Sequence, residues 1–445
     1  MHPKVLLDTC ADLIAQTLTF QHPADATVAR FFREHRQLGP RERHTLSDTV
    51  YAVLREKPRL QWWAKRAPAP ADASAAPKPP KGTKPSPRPP HSARCLALLV
   101  WRDQQPDLLS AVATEAELTW LATCTAATWQ APDAPPDVRH LLPYWLAQPL
   151  QAQLGDGFAA LAAAVNEPAP LDVRINPLKT KRPAALQQLQ QVGLEVQPTP
   201  YSPWGIRLQG KPSLARLPLF AEGALEVQDE GSQLLALLLD AKRNELVVDF
   251  CAGAGGKTLA IGAAMRNTGR LYAMDTSAHR LEGLQPRLQR AGLTNVHPMV
   301  IAHERDERLN RMLAKADRVL VDAPCSGLGT LRRSPDVKWR QTPQQVEELA
   351  ALQGRILASA ARLVKTGGRL VYATCSLLEQ ENEAVAQAFA QTHRDFEAVP
   401  VSELLQQAGL ESEAVASLCQ NGYLRLWPHL HGTDGFFAAV WRRKF

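Results

Sequence analysis

The strongest constraint on the fold is a repeated strand-and-helix pattern that runs from Gly231 onward. Four apolar strand candidates, ELVVDF, RLYAMD, RVLVDAP and RLVYATC, alternate with the helical stretches KTLAIGAAM, SAHRLEGLQPRLQRAG and QQVEELAALQGRILASAARLV. Strands separated by helices usually pair in parallel, with helices on both faces of the sheet. The pattern therefore predicts an α/β domain over residues 231–445, with its ligand site at the carboxyl ends of the strands.

The first half of the chain predicts two further regions and a linker. Apolar residues at helical spacing, among them Leu46, Val50 and Leu54, indicate an all-α domain over residues 1–165. Residues 67–92 interrupt this domain; they are rich in Pro, Ala, Ser and Lys, and we expect an extended linker there. The alternation in PLDVRINPL then predicts a strand within a small α/β region over residues 166–230.

Charge and cysteine content narrow the class of protein. The 51 Lys and Arg against 44 Asp and Glu give a formal net charge of +7, which suits a nucleic-acid partner and equally a mildly basic enzyme without one. The acidic Asp8 and Asp12 argue against a secretory signal, and no apolar run is long enough for a membrane span. The seven cysteines show no CxxC spacing, so neither a disulfide framework nor a metal site is expected. We expect a cytoplasmic monomer.

The first strand candidate ends in a glycine-rich turn, VVDFCAGAGGKT. Gly253, Gly255 and Gly256 allow a ligand to approach the backbone closely, which favours nucleotide-type binding over a plain tight turn. The second strand ends at Asp275, a suitable position for an acid that binds the hydroxyls of a ribose. A helix N-cap at this point is the alternative interpretation of Asp275.

Two cysteines follow two other strands of the predicted sheet. Asp322 and Cys325 come directly after the third strand candidate, and Cys375 ends the fourth. A single cysteine is most often buried packing. Two cysteines and an aspartate at one edge of a sheet, beside a ligand-binding turn, instead indicate chemistry.

These segments resemble a known family. DAPCSGLGTLRRSPDVKWR and LVYATCSLLEQENE are similar to the fourth and sixth motifs of the Nop/Sun RNA 5-methylcytosine methyltransferases, and VVDFCAGAGGKT is similar to their cofactor motif. EVQDEGSQLL, HGTDGFFAAVWRR and PLDVRIN also resemble family segments. The resemblance implies a Rossmann-like class I methyltransferase domain, a small α/β RNA-binding subdomain and an all-α NusB-like amino-terminal domain.

The resemblance also implies the reaction. A cysteine thiolate adds to carbon 6 of cytosine, and carbon 5 then becomes nucleophilic enough to take a methyl group from S-adenosylmethionine. The family pattern assigns the attacking thiolate to Cys375, contact with the ring nitrogens to Asp322 and breakdown of the adduct to Cys325. Cofactor binding falls to Asp322 as well and to the residues Cys251, Ala252, Gly253, Ala254, Gly255, Gly256, Lys257 and Asp275.

The expected substrate is RNA, and ribosomal RNA is favoured over transfer RNA by the amino-terminal resemblance. Cations with an aromatic residue follow the Cys325 loop, at Arg332, Arg333, Lys338 and Trp339. This combination suits phosphate contact and base stacking, although a solvated surface with a packed Trp339 is the alternative.

The sequence departs from the family pattern at two places. Ala254 stands where proline is usual in the glycine turn. The acid that normally meets the adenine should fall near Ala302 or His303, so Glu304 or Asp306 is the expected substitute.

Two alternatives have different functions. The first is an inactive RNA-binding or ribosome-assembly factor with the same fold, and the second is a transfer RNA methyltransferase. A nicotinamide dehydrogenase on a similar sheet leaves both cysteine motifs unexplained.

Overall fold

The structure is a computed structural model that describes residues 1–65, 67, 91–126, 134–210 and 212–444. The chain divides into two compact units. The first consists of Met1–Glu167 together with Leu331–Thr342, and the second of Pro168–Thr330 together with Pro343–Phe445. Most of the predicted linker, residues 68–90, lies outside the described residues, and a helix begins at His91. None of the helices in the described ranges has both the length and the apolarity needed to cross a bilayer.

The first unit is all-α across its described residues, as predicted. Local sequence explains several helix ends: Thr114 and Glu117, for example, form a reciprocal capping box at the start of one helix. Buried Leu7, Leu46 and Trp101 belong to one apolar core. The helices of its amino-terminal part span Pro3–Thr17, Ala24–Glu34, Pro40–Ala64, His91–Gln104, Pro106–Ser110, Glu115–Thr123, Pro136–His140, Tyr144–Leu154 and Phe158–Ala164.

The segment Leu331–Thr342 completes this helical unit, although sequence analysis placed it in the α/β domain. A short helix, Val337–Arg340, lies within it. The carboxylate of Asp336 accepts a hydrogen bond from the backbone N–H of Ala24 at 3.1 Å. The indole of Trp339 donates to the carbonyl of Leu54 at 2.7 Å. The helical unit is therefore assembled from two separate parts of the chain.

The second unit begins with a small antiparallel sheet in the order β2-β3-β1-β4. The predicted strand PLDVRINPL forms β1, and its residues Val173 and Ile175 pack into a separate apolar cluster. The elements of this region are the strands β1 Leu171–Ile175, β2 Val196–Pro198, β3 Gly205–Leu208 and β4 Leu225–Val227, and the helices Arg182–Gln191 and Pro218–Ala221.

A nine-stranded sheet forms the rest of this unit, in the order β11-β12-β13-β9-β8-β5-β6-β7, with β10 paired to β13. The strands β5 to β9 are parallel, and β10 to β13 pair antiparallel. The strands are β5 Leu246–Asp249, β6 Arg270–Asp275, β7 Val296–Val300, β8 Ala316–Asp322, β9 Val364–Thr374, β10 Phe396–Ala398, β11 Cys419–Gln420, β12 Tyr423–Leu426 and β13 Phe436–Arg443. The helices are Glu230–Leu239, Gly256–Ala264, Ala278–Ala291, Pro343–Ala361, Glu383–Thr392, Val401–Gln407, Ser412–Leu418 and Pro428–His431.

The order of the strands locates the site. All four strand candidates from the sequence form adjacent strands, β6, β5, β8 and β9, which confirms the predicted α/β sheet. The chain leaves β5 toward β6 on one side, whereas β8 and β9 lie on the other side of β5. A crevice opens where the strand order reverses in this way, outside the carboxyl ends of the strands.

Candidate active site

A cleft of about 760 Å³ lies at the carboxyl ends of β5, β6, β8 and β9. This volume is within the range of small-molecule sites, roughly 300–1,000 Å³. Most of the residues predicted from the strand-end motifs line it, namely Cys251, Ala252, Gly253, Ala254, Gly256, Lys257, Asp275, Asp322, Cys325 and Cys375. Gln228, Ser232 and Arg280 also line the cleft, although the sequence assigned no role to them. Gln228 and Ser232 belong to the segment EVQDEGSQLL, which resembles the family, whereas Arg280 belongs to none of the quoted motifs.

The glycine turn is bent by its positive backbone angles. Gly253 has a φ of 55° and Gly255 a φ of 82°, a conformation that glycine adopts without steric cost. A Cβ atom at Gly255 would lie 2.2 Å from Cδ1 of Leu284, so this position has no space for a side chain. The helix begins at the next residue, Gly256, so the turn and the start of the helix are continuous.

Asp275 ties the glycine turn to the next strand. One carboxylate oxygen accepts from the backbone N–H of Gly253 at 2.8 Å, and the other accepts from that of Ser277 at 2.8 Å. Ser277, rather than Asp275, caps the helix that follows. Asp275 thus shapes the turn, and each of its oxygens keeps a further lone pair for a ligand.

The two strand-end cysteines lie side by side. Their Sγ atoms are 3.3 Å apart, and both residues are half-buried at the wall of the cleft. The hydrogen bond to Cys375 and burial together raise the pKa of Cys325 well above its usual range. Either sulfur atom can be the donor in this contact.

A partly buried ion pair lies next to the cysteines. The ammonium of Lys257 is 2.6 Å from Oδ2 of Asp322, with 12% and 28% of the two side chains exposed. Burial disfavours the charge on Lys257, but the carboxylate of Asp322 outweighs it, and the pKa of Lys257 is raised. Lys257 also interacts electrostatically with Cys375. A permanent positive charge therefore accompanies the thiol that the sequence assigned as nucleophile.

The two candidates for the missing acid have different positions. Asp306 accepts from the backbone N–H of Ala302 at 2.8 Å and pairs with Arg308, so it stabilises the loop after β7. Glu304 and His303 line the cleft, whereas Asp306 does not. Glu304 is therefore the acid near this end of the cleft.

The predicted RNA contact of Lys338 is corrected by its burial. Lys338 is 1% exposed, and its ammonium donates to the carbonyls of Arg55 and Leu141 at 2.9 and 2.8 Å and to Oδ1 of Asn166. Burial lowers the pKa of Lys338 well below its usual range. Its function is to hold a segment of the helical unit in place, because such a side chain cannot reach a phosphate.

Trp339 follows the alternative interpretation, that of a packed side chain. It packs against the core of the helical unit, and its indole is hydrogen-bonded to Leu54. Arg332 and Arg333 are half-exposed, and their contact with RNA stays a prediction.

Comparisons with known proteins place these features in a family. Residues 236–442 match the family model described as 16S rRNA methyltransferase RsmB/F, and residues 142–215 match an RsmF/B-like ferredoxin-like domain. A relative from Synechocystis sp., described as a probable ribosomal RNA small subunit methyltransferase B, is 39% identical over 68% of this chain and 66% of its own length. The chain thus matches slightly less than two thirds of that relative.

Solved structures extend the likeness. A methyltransferase homolog from Pyrococcus horikoshii is 30% identical with a TM-score of 0.58, over 69% of this chain and 97% of that one. The crystal structure of PH0851 is 25% identical with a TM-score of 0.76, over 100% of this chain and 99% of that one. These likenesses agree with the predicted Rossmann-like methyltransferase fold.

Proposed function

Because the chain belongs to the RsmB/F family of 16S rRNA methyltransferases, we propose that it methylates carbon 5 of a cytosine in small-subunit ribosomal RNA. The single observation that carries this proposal is the pair of sulfur atoms 3.3 Å apart on two strand ends, beside the Lys257–Asp322 ion pair. Simple binding of RNA requires neither two adjacent thiols nor a buried cation next to them.

The cleft fits S-adenosylmethionine as the methyl donor. When bound, this cofactor supplies an electrophilic methyl group. The glycine turn admits a ligand close to its backbone, Asp275 offers lone pairs for the ribose hydroxyls, and Glu304 offers an acceptor for the amino group of an adenine. The helix that begins at Gly256 presents its amino-terminal N–H groups to a carboxylate.

Cys375 acts as the nucleophile in this proposal. A thiolate, not a thiol, attacks carbon 6 of cytosine. Two neighbours stabilise a negative sulfur here, namely the ammonium of Lys257 and the S–H of Cys325. Attack forms a sulfur–carbon bond and makes carbon 5 electron-rich, which divides one difficult step into two easier ones.

Asp322 and Lys257 bind the polar edge of the base. Asp322 accepts a hydrogen bond from the exocyclic amine and holds a proton at the ring nitrogen, so that negative charge does not accumulate during attack. Lys257 fixes the carboxylate through the 2.6 Å contact. Cleavage of the adduct requires that a base takes the proton from carbon 5 while the sulfur–carbon bond breaks and Cys375 leaves as a thiolate. Cys325, whose sulfur lies 3.3 Å from that of Cys375, is placed to assist this step.

Mapping of methylated cytosines tests the proposal. Bisulfite sequencing of RNA from cells that lack the protein should show the loss of a 5-methylcytosine in small-subunit ribosomal RNA, restored by the wild-type gene and not by Cys375→Ala. If 5-methylcytosine is lost from transfer RNA alone, the substrate is transfer RNA instead.

A titration with S-adenosylmethionine separates the enzyme from an inactive assembly factor. Calorimetry on the purified protein should show stoichiometric binding, and Gly255→Val should weaken it because a side chain at this position meets Leu284. If the protein does not bind S-adenosylmethionine, and cells that lack it keep all their 5-methylcytosines, the assembly factor is supported instead.

A further inference from the structure

A buried carboxylate connects the two loops that carry the cysteines. Glu381 lies in the loop after β9 and is 0% exposed. Its Oε1 accepts from the backbone N–H of Ser326 at 2.8 Å and from Nε2 of Gln353 at 3.0 Å. Its Oε2 accepts from the hydroxyls of Ser326 and Ser376, each at 2.5 Å. All four acceptor positions of the carboxylate are therefore used.

The two serines occupy equivalent places in their loops. Ser326 directly follows Cys325, and Ser376 directly follows Cys375. Their hydroxyl oxygens are 3.3 Å apart, the same separation as the two sulfurs. One carboxylate thus holds the residue next to each cysteine.

The two loops that carry the cysteines are also joined by a backbone hydrogen bond. The role of Glu381 is therefore to orient the loops, not merely to connect them. The backbone N–H of Gly329 donates to the carbonyl of Cys375 at 2.7 Å. Before the cysteines, the paired strands β8 and β9 hold the loops through the N–H of Ala323, which donates to the carbonyl of Ala373 at 2.9 Å. The Glu381 contacts lie on the other side of the cysteines, so the two sets together fix the relative direction of the loops. The hydroxyls of Ser326 and Ser376 supply the side-chain part of the Glu381 contact, and substitution of the two serines removes this part.

A buried carboxylate is costly unless hydrogen bonds compensate for its lost hydration, and apolar residues often replace such groups without loss of stability. Stability alone therefore gives little reason to keep Glu381 in this place. Its negative charge also contributes to the raised pKa of Cys325. The hydrogen bonds of Glu381 to the two serines and its charge therefore both influence the pair of sulfurs.

We propose that Glu381 is a positioning residue that fixes the distance and direction between the sulfurs of Cys325 and Cys375. It contacts neither RNA nor cofactor and acts through Ser326 and Ser376. The inference has two consequences. Its effect on the rate of methylation rests on the proposed function, whereas its effect on the geometry of the two thiols does not.

The geometric consequence is tested with phenylarsine oxide, which condenses with two adjacent thiols to form two As–S bonds and one molecule of water. Wild-type protein should bind one equivalent at Cys325 and Cys375, located by peptide mass spectrometry and absent in Cys325→Ser. The double variant Ser326→Ala/Ser376→Ala should bind it about tenfold more weakly. The double variant removes both hydroxyls that donate to Oε2 of Glu381, so its urea midpoint is measured to check that it folds.

The kinetic consequence is tested with small-subunit ribosomal RNA from cells that lack the protein. The double variant should lower kcat roughly ten- to hundredfold, because misplacement by about 1 Å can cost that much, while KM for RNA changes less than about threefold. Glu381→Gln, which keeps the size of the side chain, should lower kcat to a lesser extent. The matched control is Thr49→Val, which removes the buried hydroxyl that accepts from the Trp101 indole in the helical unit.

The inference requires that arsenical affinity and kcat both fall in the double variant while the control keeps both. If either stays at the wild-type value, or if the control changes equally, the positioning role is wrong. If wild-type protein methylates no RNA, the proposed function fails, and the arsenical affinity alone then decides whether Glu381 fixes the two thiols.

Discussion

Cys325 and Cys375 have different surroundings, although their sulfur atoms are in contact. The hydrogen bond to Cys375 and burial raise the pKa of Cys325. Cys375 interacts electrostatically with the ammonium of Lys257. Under the proposed mechanism, these surroundings favour Cys375 as the nucleophile.

Replacement of the nucleophile should separate chemistry from binding. We expect Cys375→Ala to reduce methylation below detection, because it removes the thiolate that the proposed mechanism requires at carbon 6, and to leave the affinity for S-adenosylmethionine within about threefold. A methyl-transfer assay and calorimetry on the same sample measure both quantities. Normal turnover by this variant would contradict the covalent mechanism.

Replacement of the second cysteine should have a different result. We expect Cys325→Ala to form the bond between Cys375 and RNA but to break it slowly, so that a covalent protein–RNA complex accumulates. Denaturing gel electrophoresis detects it as a band of reduced mobility that disappears in the double variant Cys325→Ala/Cys375→Ala. If no such band forms, the role of Cys325 in release is wrong.

The residues of the site could be predicted to the extent that they belong to local motifs. Asp322, Cys325 and Cys375 follow strands directly, and the sheet brings strand ends together. The pairing of Lys257 with Asp322 was not predicted, since it joins positions far apart in sequence. Glu381 was also missed, although a serine after each cysteine was visible and is the signal that could have indicated it.

At the scale of elements, the end of β5 carries a buried acid that should respond to pH. Asp249 is fully buried; its Oδ2 accepts from Thr258 at 2.6 Å, and its Oδ1 has no partner among the described residues. Burial raises the pKa of Asp249 from 3.8 to about 7, against the lowering effect of Thr258. Between about pH 4 and pH 7, Asp249 therefore keeps its proton in the folded state and loses it in the unfolded chain.

This difference fixes the sign of the pH dependence. The contribution of Asp249 to the free energy of unfolding is fully present below about pH 4 and is lost as pH rises to about 7, with a slope of up to about 1.4 kcal/mol per pH unit. Asp249→Asn cannot ionise and should remove this fall. Urea unfolding of both proteins at intervals from pH 5 to pH 8 gives the difference, and parallel curves would contradict it.

The elements themselves were predicted unevenly. The strands β5, β6, β8 and β9 are apolar runs that end in chemically distinctive residues, so they could be recognised. The strand β7 has the sequence VHPMV, where His297 and Pro298 obscure the apolar pattern. The short strands β10 and β11 are defined by pairing with distant partners rather than by their own residues.

At the scale of the molecule, the helical unit depends on the distant segment Leu331–Thr342. Asp336 binds the amino end of one of its helices, and Lys338 satisfies two backbone carbonyls. We expect the isolated fragment Met1–Glu167 to unfold at a lower urea concentration than the same residues in the full chain, because the fragment lacks the contacts of Asp336 and Lys338. A synthetic peptide of residues 331–342 should restore part of the stability.

A matched peptide with Asp336→Ala controls this experiment, because it lacks the carboxylate that accepts from Ala24. It should restore less stability than the natural peptide at equal concentration. Equal effects of the two peptides, or none from either, would show that the segment contributes little to the helical unit. The sequence offered no sign of this arrangement, since Lys338 and Trp339 have the composition of an RNA-binding surface.

The segment Leu331–Thr342 belongs to the helical unit but follows it at a distance in the sequence, and this limits how genes of this kind can recombine. A chimaera that takes residues 1–167 from one relative and the remainder from another inherits a foreign segment in the core of its helical unit. A crossover that also transfers residues 331–342 avoids this mismatch. Substitutions in the helical unit and in the stretch that follows the Cys325 loop should therefore be accepted in pairs, across more than 160 positions of intervening chain.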